Sequence, residues 1–161
     1  MITLKWFFGD KEELKDARYI RNEVFVKEQN VPVSIEDDGN DGACVHLVAY
    51  DNEQPVATGR VHITDDDMDY IIGRVATLAE YRGRGISTGI VDALIEACVQ
   101  MGGNRQIAHV QTAATGFYER LGFKICGEEY DVSGIPHVMM EHFGTNKQCN
   151  GKCSICGMRG C

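Results

Sequence analysis

The stretch "YRGRGISTGIVDALIEACV", residues 81–99, sets two glycines between arginines directly before an apolar segment. Five residues of that segment recur at the spacing of one helix face: Ile90, Val91, Leu94, Ile95 and Cys98. The first N–H groups of a helix lack partners within it, and the helix dipole there favours negative charge. Because glycines let the backbone come close to a ligand, the stretch predicts a phosphate-binding loop at the start of a helix.

The segments around this loop predict a mixed α/β fold, with element order β α β β β α β α β β. The predicted strands cover 2–8, 44–50, 56–64, 69–78, 105–111, 123–126 and 137–143, and the two helices that flank the central one cover 11–29 and 113–121. The strand–helix–strand unit at 69–111 should cross over right-handed with parallel strands, in a sheet that is otherwise mainly antiparallel.

The first helix has a start signal and an apolar face. Asp10 and Glu13 have the spacing of a capping box, which predicts where this helix begins. Its apolar face is formed by Leu14, Ala17, Ile20 and Val24. The helix is followed by "NVPVSIEDDGNDGA", residues 30–43, in which carboxylates and amides cluster without a helical or strand pattern. Loops of this length are usually functional or disordered.

Length, charge and hydropathy limit the classes of function. A chain of 161 residues fits one domain with a core of its own. The formal net charge of −8 argues against nucleic acid or an anionic membrane as partner. Since the N-terminal apolar run is too short for a signal peptide and no stretch could span a bilayer, the cytoplasm is the expected location.

Two common nucleotide motifs do not fit the glycine loop. A Walker loop ends in Gly-Lys-Ser/Thr, which this loop lacks. The dinucleotide fingerprint needs a third glycine and an acidic residue after the next strand, but Thr88 follows Gly83 and Gly85, and the strand 105–111 ends in Gln111. The phosphate therefore belongs to another kind of ligand.

The stretch "RVATLAEYRGRGIS", residues 74–87, resembles the acyl-CoA loop of the GCN5-related N-acetyltransferases, known as the GNAT family. That loop has the pattern Arg/Gln-x-x-Gly-x-Gly/Ala between a strand and a helix. Arg82, Gly85 and Ile86 match, while Ser87 replaces the usual small residue, keeping the backbone donor and adding a hydroxyl.

A second motif of the same family follows at the expected distance. "QTAATGFYERLGF", residues 111–123, resembles Asn-x-x-Ala-x-x-Phe-Tyr-x-x-x-Gly-Phe, with Gln111 in the Asn position and Tyr118 in the Tyr position. Two further stretches are most similar to the small bacterial ElaA-like branch: "RNEVFVKEQNVP" (21–32) and "GIPHVMM" (134–140). The resemblance covers about residues 1–143 and implies the GNAT acyl-CoA N-acyltransferase fold.

The resemblance implies a site for acetyl-CoA as co-substrate. The pyrophosphate suits the arginine side chains and backbone N–H groups of the loop: Arg82, Gly83, Arg84, Gly85, Ser87 and Thr88. In the family, the strand before the loop separates from its parallel neighbour and the pantetheine arm enters the gap. This implies main-chain contacts, and an oxyanion donor, from Val75, Ala76 and Thr77, with Gln111 on the other strand facing the cofactor.

The implied reaction is direct attack of an amine on the thioester, with Tyr118 as the acid that protonates the departing thiolate. A phenol suits this role because it stays protonated at neutral pH. Packing of the helix onto the sheet is the alternative role of Tyr118, and it is the preferred one for Phe117.

The general base is left open among several residues. His109 lies two residues before Gln111 on one strand, so both side chains should share a face, and an imidazole has a suitable pKa range. A structural role for His109 is the alternative. Four other groups could act through water: His137, Glu28, Glu36 and Asp38. The three acids could instead bind a cationic substrate or be solvated. Proximity with a water relay needs no dedicated base.

The cysteines fall into two groups. Cys44, Cys98 and Cys126 lie within predicted elements and should pack as small apolar residues. The other four follow the predicted domain of residues 1–144, in an appendage at 145–161 with a different composition: Cys149, Cys153, Cys156 and Cys161. Their spacing allows one tetrahedral ion to bind four thiolates, so a structural zinc is predicted, while an iron–sulfur cluster and a reduced tail stay open.

Three classes of function are compatible with the sequence. The favoured one is an acetyltransferase that uses acetyl-CoA and an unidentified primary amine, as a monomer or a homodimer. The second is an acyl-homoserine-lactone synthase, which also carries an Arg-x-x-Val-Phe stretch like "RNEVF" (21–25) but would need a basic surface for an acyl carrier protein. The third is an acyl-CoA sensor without catalytic activity.

Overall fold

A computed structural model of the chain describes residues 1–64 and 69–144. Within these ranges, eight strands form one sheet: β1 (Ile2–Phe8), β2 (Cys44–Asp51), β3 (Gln54–Ile63), β4 (Tyr70–Thr77), β5 (Arg105–Gln111), β6 (Lys124–Ile125), β7 (Tyr130–Val132) and β8 (Ile135–Phe143). The helices in the same ranges are α1 (Leu14–Arg21), which continues as a π-helical segment (Asn22–Glu28), α2 (Val33–Glu36), α3 (Ile86–Gln100) and α4 (Thr115–Arg120). Short 3₁₀ turns lie at Asp41–Ala43, Ala79–Tyr81 and Thr112–Ala114.

The sheet has the order β1-β2-β3-β4-β5-β8-β6, and β7 pairs with the N-terminal part of β8. Strands β4 and β5 run parallel, joined by α3, whereas the other paired strands of the described chain run antiparallel. This confirms the predicted mixed α/β fold and its parallel crossover at 69–111.

The two long helices cover opposite faces of the sheet. The α1 face contains Leu14, Ala17, Ile20 and Val24, which are buried against strand residues including Val48. The apolar stripe predicted for α3 is buried on the other face. Both helix faces are therefore confirmed. Burying two apolar faces against one sheet supplies most of the stability of such a layered domain.

The close approach of α3 to the sheet depends on Gly59. A Cβ atom at this position would lie 2.7 Å from Cδ1 of Leu94 and 2.9 Å from Cγ2 of Ile90. Since both are buried ends of α3 side chains, any larger residue would push the helix outward. Gly59 thereby fixes the position of the helix that follows the glycine loop.

Two predictions near the first helix are corrected by the structure. Helix α1 begins after Glu13 without a side-chain cap. The prediction that Asp10 and Glu13 form a capping box is therefore wrong. The Asp10 carboxylate instead lies 3.2 Å from where a Cβ of Gly42 would be. The segment 30–43 is not a bare loop either, because it forms α2 and a 3₁₀ turn. No helix in residues 1–64 or 69–144 is both long and apolar enough to cross a membrane.

Candidate active site

A cavity of about 570 Å³ opens where the parallel strands β4 and β5 separate. Their pairing runs only from Tyr70 opposite Gln106 to Ile72 opposite Ala108. Beyond it, residues of both strands line the cavity, together with the π-helical segment, α2, α4 and the β7–β8 hairpin. A gap between parallel strands that faces a helix N-terminus is a common ligand site in α/β folds.

A bulge in β4 accompanies this separation. Arg74 and Val75 of β4 lie opposite the single residue Gly59 of β3. Arg74 has φ of 51°, a left-handed conformation that is uncommon for a residue with a side chain. Its guanidinium donates hydrogen bonds to the carbonyl oxygens of Ile35 (3.2 Å) and Glu36 (3.1 Å). These hydrogen bonds join the bulged strand β4 to the segment that contains α2.

The glycine loop has the backbone shape that an anion site needs. Gly83 and Gly85 have φ of 75° and 76°, and a Cβ at either position would meet no atom within 4 Å. Gly85 is the N-cap of the 15-residue helix α3, so the unpaired N–H groups of the first turn of α3 lie next to this loop. The Ser87 hydroxyl, on the first turn, lies 2.7 Å from that of Thr77 on β4, while Thr88 is exposed. The loop, α3 and the end of β4 therefore meet at the predicted cofactor site.

The two loop arginines already have protein partners. The guanidinium of Arg82 donates to both carboxylate oxygens of Glu28, at 2.8 and 2.9 Å, and to the carbonyl oxygen of Thr77 at 3.0 Å. The hydrogen bonds between the two raise the pKa of Arg82 and lower that of Glu28. Arg84 donates to the carbonyl oxygen of Glu80. Any phosphate at Arg82 must therefore compete with Glu28.

A second side-chain hydrogen bond joins the residue after Glu28 to the end of β5. The amide of Gln111, at the end of β5, donates to the side-chain oxygen of Gln29 at 2.7 Å. Gln29 follows Glu28 directly, so adjacent residues of one segment bind the glycine loop that follows β4 and the end of β5. Among the predicted site residues, Val75, Ala76, Thr77 and Gln111 all line the cavity.

Tyr118 lies on α4 and lines the cavity from the α3 side of the sheet. Its ring makes edge-to-face contacts with Phe117 and Phe123, at centroid distances of 5.2 and 5.3 Å. Burial of the Tyr118 hydroxyl raises the pKa of Tyr118 to about 12. The phenol is therefore protonated at neutral pH, as a proton donor must be.

His109 lies on β5 and lines the same cavity, where part of its side chain is exposed at the cavity surface. Its Nδ1 lies 2.8 Å from the hydroxyl of Tyr130, and the ring of Tyr130 stacks on His137 at 5.8 Å. Burial, and then the neighbouring His137, lower the pKa of His109. Because the residues beside it, Ala108 and Val110, point into the α3-side core, His109 approaches from the opposite face to Tyr118.

The predicted acids of the 30–43 segment are held in a buried network of arginines. Glu36 bonds to Arg21, and Asp38 bonds to Arg60. Burial alone would raise the pKa of Asp38, but the hydrogen bonds from Arg60 and the Asn40 N–H outweigh it and hold that pKa well below its usual range. These carboxylates are therefore ion-paired rather than solvated.

Asp41 is the centre of this network. It is almost fully buried and accepts hydrogen bonds from Arg21 (2.8 Å) and Arg60 (2.7 Å). Burial opposes ionisation of Asp41, yet the two guanidinium groups lower its pKa to about 2. Its carbonyl oxygen lies 2.9 Å from Nε2 of His46, so this buried histidine has a partner within the network. The network ties the segment 30–43 to α1 and β3.

Three of the seven cysteines lie in the part of the chain that the structure describes, and the four predicted metal ligands do not. Cys44 and Cys98 are buried, and burial raises their pKa values to about 11 and about 12, which confirms their packing role. Cys126 is half-buried. In residues 1–64 and 69–144, no group of three or more histidine, cysteine or acidic side chains is arranged to hold a metal. The predicted zinc ligands lie outside these residues: Cys149, Cys153, Cys156 and Cys161.

Several cavity residues have no counterpart in the sequence prediction. Tyr130 and the strand β7 were not predicted, although the dipeptide Ser133–Gly134, with φ of 50° and 83°, marks the tight turn between β7 and β8. Gln29 and Arg74 were missed because their partners lie far away in sequence. No local pattern signals such contacts.

Comparison with known proteins identifies the family of this chain. The sequence model described as "Acetyltransferase (GNAT) domain" matches residues 11–142. The chain therefore belongs to the GNAT family of acetyltransferases, which makes it an acyltransferase and supports an acyl-CoA as its co-substrate. The family predicted from the sequence is confirmed.

Individual relatives include bacterial proteins of similar size. The uncharacterized N-acetyltransferase YjcF of Bacillus subtilis is 39% identical over 132 residues, which span 81% of this chain and 93% of that protein. Protein ElaA of Escherichia coli is 32% identical over 128 residues, spanning 75% and 81%.

Solved structures agree with these sequence relatives. The crystal structure of Escherichia coli ElaA has a TM-score of 0.79 at 28% identity, covering 88% of this chain and 99% of that one. An aminoglycoside 6'-N-acetyltransferase complexed with coenzyme A has a TM-score of 0.70, covering 91% and 99%. At 14% identity, the latter similarity extends to the fold alone.

Proposed function

We propose that this protein is an N-acetyltransferase that moves an acetyl group from acetyl-CoA to a primary amine by direct attack in a ternary complex. The observation that carries the proposal is the cavity between β4 and β5, which meets the glycine loop and is lined by Tyr118 and His109 from opposite faces of the sheet. A thioester held in this gap would be reached by a proton donor and a proton acceptor from different sides.

The residues present fit acetyl-CoA. The loop from Gly83 to Gly85 has positive φ at both glycines and open space beside them, so its N–H groups and those of α3 can approach a pyrophosphate. After Ile72, the β5-facing edge of β4 has no strand partner among the described residues. Its main-chain groups, from Val75 to Thr77, can bond the amides of a pantetheine arm as a strand would.

The reaction requires a balanced set of proton transfers. An ammonium loses one proton, the free amine nitrogen forms a bond to the thioester carbon, and the carbon–sulfur bond breaks. The nitrogen loses a second proton, and Tyr118 donates its hydroxyl proton to the departing sulfur and later regains one. The products are an acetylamide and coenzyme A, with one proton released. An N–H of the bulged strand β4 is the proposed donor to the oxyanion.

His109 is the proposed base. With its Nδ1–H donating to the hydroxyl of Tyr130, the lone pair of Nε2 is available for a proton from the amine. The lowered pKa of His109 keeps the ring neutral at pH 7. Glu28, Glu36 and Asp38 are weaker candidates because arginines neutralise each of them.

A screen for coenzyme A release from acetyl-CoA across a panel of amines tests this function. The Tyr118→Phe variant should lower kcat by roughly 10²-fold or more, while acetyl-CoA affinity measured by calorimetry stays the same. Tyr19→Phe, on the exposed side of α1, is the matched control and should behave as wild type. Wild-type turnover in Tyr118→Phe would refute the acid role. Tight acetyl-CoA binding without release for any amine would favour a sensor.

A further inference from the structure

One part of the cavity surface is apolar and built by segments other than the glycine loop. Five side chains form this apolar wall: Phe25, Val31 and Ile35, from the π-helical segment to α2, and Val132 and Ile135, from the β7–β8 hairpin. Ile35 keeps 40% of its surface exposed, although a side chain of this kind is normally buried. Exposed apolar side chains that line a cavity indicate an apolar ligand.

An aromatic group lies next to the apolar wall. Tyr130 is 38% exposed, and its ring stacks on that of His137 at 5.8 Å. The Tyr130 hydroxyl lies 2.8 Å from Nδ1 of His109, so the ring is held in one orientation beside the proposed base. A fixed aromatic ring of this kind offers a flat surface to a ligand of similar shape.

The charges that line the cavity are already neutralised within the protein. Glu28 is bonded to Arg82, and Glu36 is bonded to Arg21 and lies 3.6 Å from Arg74. Glu36, the carboxylate next to Ile35 of the apolar wall, is therefore not free to bind an ammonium group. Glu28 belongs to the glycine-loop end of the cavity through its bond to Arg82, where the pyrophosphate is proposed to bind. A second positive charge on the acceptor would therefore meet no unpaired carboxylate at the apolar wall.

We infer that the acceptor is a primary amine attached to an apolar, ring-sized body, with no second positive charge. This inference rests on the proposed function, because it assigns the acceptor of that same site. The apolar body packs on the apolar wall and Tyr130, and the amine nitrogen lies toward His109. Polyamines and aminoglycosides are excluded as preferred acceptors, since their additional ammonium groups would be desolvated without partners.

Turnover and binding, measured separately, test the inference. The probes are 2-phenylethylamine, tryptamine, spermidine, kanamycin and a lysine-containing peptide, each tested for coenzyme A release with acetyl-CoA and for binding by calorimetry with coenzyme A present. We expect kcat/KM for the two aromatic amines to exceed that for spermidine and kanamycin by roughly tenfold or more. A preference for spermidine, kanamycin or the peptide would overturn the inference and leave acetyl transfer intact.

The two proposals can fail separately in this design. Selective binding of the aromatic amines without any coenzyme A release would support the assignment of the acceptor and contradict the proposed function. If no amine either binds or reacts, both proposals are wrong.

A pair of variants on α2 tests where the selectivity arises. Ile35→Asp places an unpaired carboxylate in the apolar wall and should lower kcat/KM for 2-phenylethylamine by roughly tenfold while raising that for spermidine. Val33→Asp is the matched control, because Val33 lies on the same short helix, is 62% exposed and does not line the cavity. Equal selectivity of Ile35→Asp and Val33→Asp, with both variants folded, would overturn the assignment.

Discussion

Replacing Glu28 with glutamine should strengthen the binding of acyl-CoA. The Glu28 carboxylate occupies the Arg82 guanidinium through two hydrogen bonds, at 2.8 and 2.9 Å, in the loop that we propose binds the pyrophosphate. The ligand must break this ion pair before it can use the arginine. Glutamine keeps the size of the side chain and removes the charge, so Arg82 becomes available at lower cost.

The size of the effect follows from the exposure of the pair. Arg82 and Glu28 are 43% and 44% exposed, so their ion pair is screened by solvent. Exposed pairs contribute about 0.2–1 kcal/mol, and two-point geometry favours the upper end of that range. About 1 kcal/mol corresponds to a roughly fivefold lower Kd for acyl-CoA. The gain should shrink as salt is added, because screening weakens the pair in the wild type.

Calorimetric titration of acetyl-CoA into wild type and Glu28→Gln measures this change. Glu80→Gln is the matched control, because it removes one negative charge beside the same loop and leaves the pair of Glu28 with Arg82 intact. Equal tightening by both variants would show that net charge alone is responsible. Unchanged or weaker binding by Glu28→Gln would refute competition for Arg82.

Two further predictions concern stability, each measured by urea unfolding. Gly59→Ala should lower the free energy of unfolding by about 1–3 kcal/mol, because the new Cβ would lie 2.7 Å from Leu94; Gly89→Ala, with open space around it, should not destabilise α3. Equal stability of the two variants would contradict the packing argument. Asp41→Asn should cost about 3–5 kcal/mol by leaving two buried arginines underpaired. Since folding lowers the Asp41 pKa to about 2, its contribution is present above about pH 4 and is lost as the pH falls toward 2, a dependence that the Asn variant should lack in that range.

The elements that the sequence predicts well are those whose signal is local. The buried stripe of α3 from Ile90 to Cys98 and the positive φ of Gly83 and Gly85 follow from apolar spacing and from glycine chemistry within a few residues. The Arg21–Asp41 pair joins residues 20 positions apart. No periodicity predicts which arginine a given carboxylate of the 30–43 segment will find, so that network was open to several interpretations.

Two local signals were misread or overlooked for a related reason. Asp10 has capping-box spacing, but the chain continues as a turn until Glu13 and the helix begins at Leu14, so spacing alone gave the wrong start for this helix. The β7–β8 turn at Ser133–Gly134 was identifiable in the sequence, but β7, the strand before it, has only three residues and is too short to show alternation. Tyr130, the cavity residue beside His109, was missed with it.

Arg74 connects the two halves of the proposed site. Arg74 lies in the bulge, two residues after Ile72, the last residue of β4 that pairs with β5. Its left-handed backbone costs a residue with a side chain roughly 1–2 kcal/mol. Its guanidinium offsets that cost by donating hydrogen bonds to the carbonyl oxygens of Ile35, a residue of the apolar wall, and of its neighbour Glu36. The residue at which β4 leaves β5 therefore also positions the segment that would receive the amine. Because one side chain joins them, a shift in the strand gap would move the acceptor wall with it, and the two substrates of the proposed reaction would be positioned by a single structural feature.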